Sequence, residues 1–150
     1  MQRYLSIALL MLVMMVTGAT AGRAASPARW LEDDPRDTIE RYALILFEYD
    51  SASPGPINER ILREHVYRGI RPTSEVMVVG YADSLGTSQR NLVLSKQRAE
   101  NVAGQIRRDV AGYTLLKAIG VGESRLYRGD FPEVRFYNRT VQIEIRTPGR

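Results

Sequence analysis

Two short apolar runs, each followed by a stretch whose apolar residues return every three or four positions, constrain this 150-residue chain more than any other feature. The runs are "YALILF", Tyr42 to Phe47, and "EVMVVGY", Glu75 to Tyr81. Continuous apolar runs of this length suit strands buried on both faces. After the first run, "SASPGP" breaks the pattern and Pro56 suits the first position of a helix. Ile57, Ile61, Leu62, His65 and Val66 then follow at helical spacing until Gly69 stops them. After the second run, a turn around Gly86 leads to Thr87, which suits an N-cap. Leu92, Ser95, Ala99, Val102, Ala103, Ile106 and Val110 then recur at intervals of three and four, and Gly112 closes the series. The spacing predicts one long amphipathic helix.

Downstream, "TLLKAIGVG" reads as a third, weaker strand, and "SRLYRGDFPEVRFYNR" has no period and reads as a loop. "RTVQIEIR" alternates strictly, with Val141, Ile143 and Ile145 on one face and Thr140, Gln142, Glu144 and Arg146 on the other, which predicts a strand with one wet face. The order is βαβαββ. Strands alternating with helices favour parallel pairing and right-handed crossovers, and the last two strands are close enough in sequence to pair antiparallel. The expected fold class is therefore α/β (α+β), a two-layer sandwich whose mixed sheet carries its helices on one face.

The N-terminal 25 residues stand apart. Arg3 supplies a basic start, Leu5 to Val16 is apolar except for Ser6, and small residues follow in "TGATAGRAAS". That layout predicts a secretory signal peptide at 1–25, cleaved after Ala21 or Ala25, with an uncleaved anchor as the alternative. Residues 26–40 are polar with two prolines and read as a short linker, whose Trp30 and Leu31 pack on the domain edge; the domain itself spans 41–147. Without the leader, Arg3 and Arg23 are lost, leaving 19 basic residues against 17 acidic. That balance is too mild for a nucleic-acid partner. With no cysteine, an exported chain folds on burial alone, and thiol catalysis and cysteine-held zinc are excluded.

The chemistry-bearing residues gather where the second strand ends. Asp83 follows the apolar run, and loops at strand ends are where α/β folds place ligand groups. Asn91 and Arg98 are seven positions apart on the long helix, within about 20° of each other around its axis. Leu94 and Ser95 lie between them, and the stripe flanks the apolar face. A carboxylate, an amide and a guanidinium so placed line a shallow groove. It suits a zwitterion, the carboxylate taking an ammonium and the guanidinium a carboxylate. The plain alternative is a set of solvated surface charges.

"GYADSLGTSQRNLVLSKQRAENV" resembles the signature of the OmpA-like peptidoglycan-binding domain, in which G-H-[TA]-D, a Gly, an Asn, L-S and R-A recur at these intervals. "ILFEYDSA" resembles that family's first strand, "GVGES" its Gly-x-Gly-Glu turn and "NRTVQIEI" its Asn-Arg-Arg-Val strand. The resemblance implies non-catalytic binding of peptidoglycan that anchors or stabilises the cell envelope. Asp83 and Arg98 would grip the amino and carboxylate groups of the stem-peptide diaminopimelate, and Asn91 would add a hydrogen bond. The loop from Gly80 to Leu85, with Ala82, forms one wall, Leu94 lines the stripe, and Arg139 lies near the site. The chain departs from the pattern at Tyr81, where the family has His, at Ala82, where Thr is commoner, and at Thr140, where it has a second Arg. These departures bear on strength and peptide selectivity. The implied location is the periplasm, associated with the cell wall. The implied form is a free module or one tethered to the membrane by an uncleaved N-terminal segment, with envelope proteins as further partners. It would be neither a barrel-bearing porin, nor a lipoprotein, nor a flagellar stator subunit.

No cofactor or metal is expected. His65 is the only histidine, without acids at ligand spacing, and reads as a core-edge residue. No phosphate loop is present, "RGD" at Arg128 to Asp130 reads as chance, and the Asn138-Arg139-Thr140 sequon is discounted. Two alternative functions remain. One is a cell-wall hydrolase with Asp83 and Glu123 as paired carboxylates; the other is an interaction module that does not bind peptidoglycan.

Overall fold

The computed structural model describes residues 34–124 and 134–149. The expected leader, Trp30 and Leu31, and the Arg128 to Asp130 tripeptide all lie outside the described residues.

Four strands form one sheet: β1 (Thr38–Leu44), β2 (Glu75–Ala82), β3 (Leu115–Glu123) and β4 (Val141–Thr147). Between β1 and β2 the chain forms α1 (Gly55–Ile61), a π-helical turn over Leu62–Val66, and α2 (Tyr67–Gly69). The long α3 (Ser88–Asp109) links β2 to β3, and a short α4 (Val134–Asn138) precedes β4. The predicted βαβαββ order and mixed sheet are present, with α4 as an addition inside the segment read as loop.

The strand order is β1-β4-β2-β3. β3 pairs parallel with β2, whereas β4 lies between β1 and β2 and runs antiparallel to both. The expectation that the last two strands pair with each other is therefore corrected. β3 is bound to β2 by the α3 crossover, and β4 fills the slot between β1 and β2, where both its edges are hydrogen-bonded. β1 also begins earlier than its apolar run: Thr38–Leu44 alternates in exposure, and Phe47 is buried from the loop beyond the strand.

The core lies between the sheet and the helices. Leu44, Val76, Val78, Val141, Ile143 and Ile145 meet Leu62 and Val66 on one side and Ala99, Val102, Ala103 and Ile106 of α3 on the other. Ile57, His65 and Leu92, assigned to apolar helix faces from spacing, are exposed. Ile57 and Leu92 lie early in their helices and His65 in the π-helical turn, where periodicity continues but the side chain is left to solvent.

α3 can approach the sheet because two glycines lie beneath it. A Cβ at Gly80 would stand 2.0 Å from the Ser95 carbonyl oxygen, and one at Gly120 2.2 Å from the Lys96 nitrogen. The Ser95 hydroxyl uses this proximity, donating to the Leu92 carbonyl at 2.8 Å and accepting from the Gly122 N–H at 2.8 Å. Thr87 caps the helix as expected, its hydroxyl accepting from the Arg90 N–H at 3.3 Å.

The other face of the sheet is wet only toward its middle, where Arg41 bonds Glu144 at 2.8 Å and Tyr81 donates to Gln142 at 3.2 Å. Arg146, expected on that wet face, is buried with Glu75 opposite it in register and Asp37 3.7 Å away. A charge in such a place is retained because opposite charges surround it.

Candidate functional site

β2 runs out at Ala82, and Asp83 begins the turn into α3. One carboxylate oxygen of Asp83, Oδ1, accepts the Leu85 N–H at 3.3 Å, the side-chain turn that aspartate favours. Its main-chain carbonyl accepts from the Asn91 amide at 3.0 Å. Asn91 therefore acts as a strut that holds the Asp83 loop against the first turns of the helix.

Two turns further along α3, Arg98 reaches across to three carbonyls on two other segments. Nε donates to Ser51 at 2.8 Å, Nη1 to Tyr81 at 3.0 Å and Nη2 to Glu48 at 3.1 Å. The guanidinium also stands 5.4 Å from the centre of the Phe47 ring. Arginine has five N–H donors, so two remain, one on each Nη. Burial pushes its pKa down to about 10; the negative charges of Asp83 and Asp50 oppose that shift and Arg139 adds to it. Arg98 is thus positively charged at neutral pH, and Asp83, Arg139 and Asp50 all lie near enough for their charges to act on it.

The β1–α1 loop that Arg98 grips is pinned from every side. Asn58 donates to Ile45 and Pro54, both at 2.8 Å, Thr140 to Leu44 at 2.8 Å and Asn101 to Ala52 at 3.0 Å. Arg90 pairs with Asp50. This anchoring holds Leu46 and Asp50 at φ of 61° and 54°, a left-handed backbone that costs a leucine more than a glycine.

Arg139 enters from the third side. It follows α4, its N–H donates to Phe136 at 3.3 Å, and its carbonyl accepts from Phe47 at 3.3 Å. Its guanidinium lies 4.4 Å from the centre of the Phe136 ring.

The four polar residues form one buried cluster, with relative exposures of 5% for Asp83, 2% for Asn91, 0% for Arg98 and 6% for Arg139. The groove expected from helical spacing is corrected in depth. The Asn91–Arg98 stripe faces inward, because the loops after β1 and β2 fold over it. Of the other expected wall residues, Ala82 is fully buried, its carbonyl accepting the Ser124 N–H at 2.9 Å, and Leu94 is half-buried. Two polar atoms of the cluster have no hydrogen-bond partner among the described residues: Oδ2 of Asp83 and Nε of Arg139. Glu123 pairs with Ala82 across the β2–β3 ladder, one residue from Asp83, but its side chain is exposed while that of Asp83 is buried. Among the described residues no group of acids and histidines could hold a metal ion, and no helix is long and apolar enough to cross a membrane.

No family model matches the chain. In sequence it is 33% identical over 75 residues to outer membrane porin F of Pseudomonas fluorescens, covering 49% of this chain and 23% of that one. The chain thus spans about a quarter of that relative. Among solved structures, the peptidoglycan-associated lipoprotein from Burkholderia pseudomallei superposes with a TM-score of 0.60 at 23% identity, over 69% of this chain and 88% of that one. The cell wall anchor of the T6SS from Pseudomonas aeruginosa gives 0.52 at 25% identity, over 82% and 96%. The OmpA-like domain of FopA1 from Francisella tularensis gives 0.53 at 17% identity, over 79% of each chain. The fold is that of an OmpA-like domain.

Within this OmpA-like fold, Asp83, Asn91, Arg98 and Arg139, named from sequence, come together at one end of the sheet. Sequence reasoning missed the wall formed by the loop from Ile45 to Pro54, and with it two of the three carbonyls that occupy Arg98, those of Glu48 and Ser51. Carbonyl acceptors leave no trace in residue type, so only the likeness of "ILFEYDSA" to the OmpA-like first strand pointed at that loop.

Proposed function

We propose that this domain binds peptidoglycan without catalysis, through the diaminopimelate of the stem peptide, and so links a periplasmic protein to the cell wall. The observation that carries the reading is the pair of buried, unpartnered atoms, Asp83 Oδ2 and Arg139 Nε, beside the charged Arg98. A buried polar atom left without a bond costs about 1–3 kcal/mol. A ligand end bearing an ammonium and a carboxylate on one carbon satisfies both atoms at once, the ammonium at Asp83 and the carboxylate at Arg139. Arg98, fully buried near them, supplies charge and two remaining Nη hydrogens while it holds the walls together. The solved structures of similar fold include a peptidoglycan-associated lipoprotein and a cell wall anchor, which supports the same ligand class. In this reading the N-terminal segment is a cleaved leader or a membrane tether, and either delivers the domain to the periplasm.

The test is co-sedimentation with insoluble sacculi, wild type against Asp83→Asn. The amide keeps an oxygen for the Leu85 turn and removes the charge. Truncating a charge partner costs about 2–5 kcal/mol. At the low end, roughly 2 kcal/mol, binding weakens about thirtyfold. Soluble muropeptides released by the wild type would favour the hydrolase, and a wild type that stays in the supernatant would overturn the reading.

A further inference from the structure

The sheet has a second face, away from the helices, that the polar cluster does not use. Val76, Val78, Ile143 and Ile145 turn toward the helices, so their neighbours along each strand turn the other way. On that outer face lies a shallow groove of about 260 Å³, lined by Arg41, Ala43, Met77, Val79, Gln142 and Glu144. It is smaller than the roughly 300–1,000 Å³ of small-molecule pockets and suits one large side chain. Arg41 bonds Glu144 at 2.8 Å, yet its side chain is 69% exposed, which leaves the guanidinium plane open to an aromatic ring.

Toward the start of β1 the same face is closed. Glu75 and Arg146 lie on it as register partners, 1% and 2% exposed, while the helices pack on the opposite face. Chain outside the described residues has to supply that cover. The segment 125–133 joins β3 to α4 at the polar-cluster end, so the N-terminal segment is the one that enters here. Its path is set by a β-turn at Asp34 to Asp37. The Asp37 N–H donates to the Asp34 carbonyl at 2.9 Å, Asp34 Oδ1 accepts the Arg36 N–H at 3.0 Å, and Pro35 holds the second position. Gly149 and Arg146 fix the turn to the end of β4, the Gly149 N–H donating to Asp37 Oδ1 at 3.3 Å and Arg146 Nε lying 3.7 Å from Oδ2. A β-turn reverses the chain, so the residues before Asp34 run back along β1, the end strand of the sheet.

From this arrangement we infer that residues 26–33 fold back over the outer face and seat the Trp30 ring in the groove against Arg41. The inference is independent of the peptidoglycan reading. Register chooses the side chain. Trp30 stands four residues before Asp34 and Arg41 four residues after Asp37, so in an extended segment the two are level. Each lies roughly 14 Å from the turn. Alternation puts Trp30 on the side of the sheet that Arg41 occupies and Leu31 on the side of Glu40. A linker held this way sets the direction from which the N-terminal side of the chain reaches the domain, relative to the polar cluster at the other end of the sheet.

Trp30 is the only tryptophan, so its fluorescence reports the contact directly. On the full chain, we expect acrylamide to quench Trp30 about threefold less in native protein than in urea, the order for a groove that hides most of an aromatic side chain. Ala43→Glu and Val79→Glu put a charge in the groove and should each bring quenching back toward the unfolded value, with far-UV circular dichroism showing the sheet intact. Ala43 is exposed, so its variant keeps the test valid if Val79→Glu fails to fold. Leu92→Glu, exposed on α3, should leave quenching low. Quenching of native wild type equal to that in urea would overturn the inference. So would quenching that stays low in folded Ala43→Glu, which would mean that the leader or a second copy shields Trp30. A rise in Leu92→Glu as large as in Ala43→Glu would also overturn it, as a general loosening of the fold.

Discussion

Arg98 carries a full charge into a place closed to solvent, and three main-chain carbonyls turned toward it keep it charged. Those bonds join the β1–α1 loop and the end of β2 to α3, so the residue serves the fold as much as any ligand. Spacing alone suggests that Arg98 can be changed without harm to folding; its burial overturns that. Hydrogen bonds to a charged group are each worth about 1.5–3 kcal/mol, and unpaired buried carbonyls cost more. Arg98→Ala should lower the unfolding free energy by about 4 kcal/mol, read from the urea midpoint at constant m-value. Arg98→Lys should recover less than half of this, because an ammonium on a flexible stem lacks the planar fork that reaches three separated acceptors. If Arg98→Ala lost peptidoglycan binding at an unchanged midpoint, its role would be ligand contact alone. Asp83→Asn, by contrast, should change binding far more than stability.

At the scale of elements, the decisive contact is α3 lying on bare backbone. Gly80 and Gly120 leave no room for a Cβ, since the nearest atoms belong to helix backbone that cannot swing aside. Gly80→Ala and Gly120→Ala should each destabilise by about 3 kcal/mol, the upper range for overpacking. Gly104, inside the same helix, has only the flexible end of Arg108 near its added Cβ, at 3.8 Å. Gly104→Ala should therefore stabilise by about 0.5–1 kcal/mol through helix propensity. Thermal or chemical unfolding of the three variants checks the opposite signs. Three shifts in the same direction would mean that the glycines do not set the helix–sheet spacing.

Across the whole molecule, the tyrosines make stability depend on pH in the alkaline range. Tyr42 is raised to about 12, chiefly by its hydrogen bond to Glu40. Tyr67 is raised to about 12 by burial and then by its bond to Asp109, and burial raises Tyr81 as well. With folded values above the ordinary 10.0, these groups keep protons in the native state that the unfolded chain has already lost. Their contribution is complete below pH 10.0 and is lost as pH rises toward about 12. Arg98 works in the opposite direction, because its folded value of about 10 lies below that of an ordinary guanidinium, so the cost of burying its charge fades over the same range. The difference between wild type and a Tyr42→Phe/Tyr67→Phe double variant cancels Arg98. We expect denaturation midpoints to fall less steeply with alkaline pH in the double variant; parallel slopes would refute the tyrosine assignment.

The order of strands and helices, the Thr87 cap, the end of the second helical segment at Gly69 and the long reach of α3 were all legible in the sequence. Each is decided within a few residues, by periodicity, a capping side chain or a glycine. Asp83, Asn91, Arg98 and Arg139 were legible as residues to watch, through charge at a strand end and through family resemblance. Tertiary structure alone decided what surrounds them. Periodicity names a face without saying what covers it, so Leu92 and Ile57 are exposed although their spacing assigned them to the core, and Arg98 and Arg146 are buried although theirs assigned them to the surface. Nor does local pattern say which strand lies beside which. β4 pairs with β1 and β2 because the sheet offers a slot where both its edges find partners, and only the folded chain has that slot.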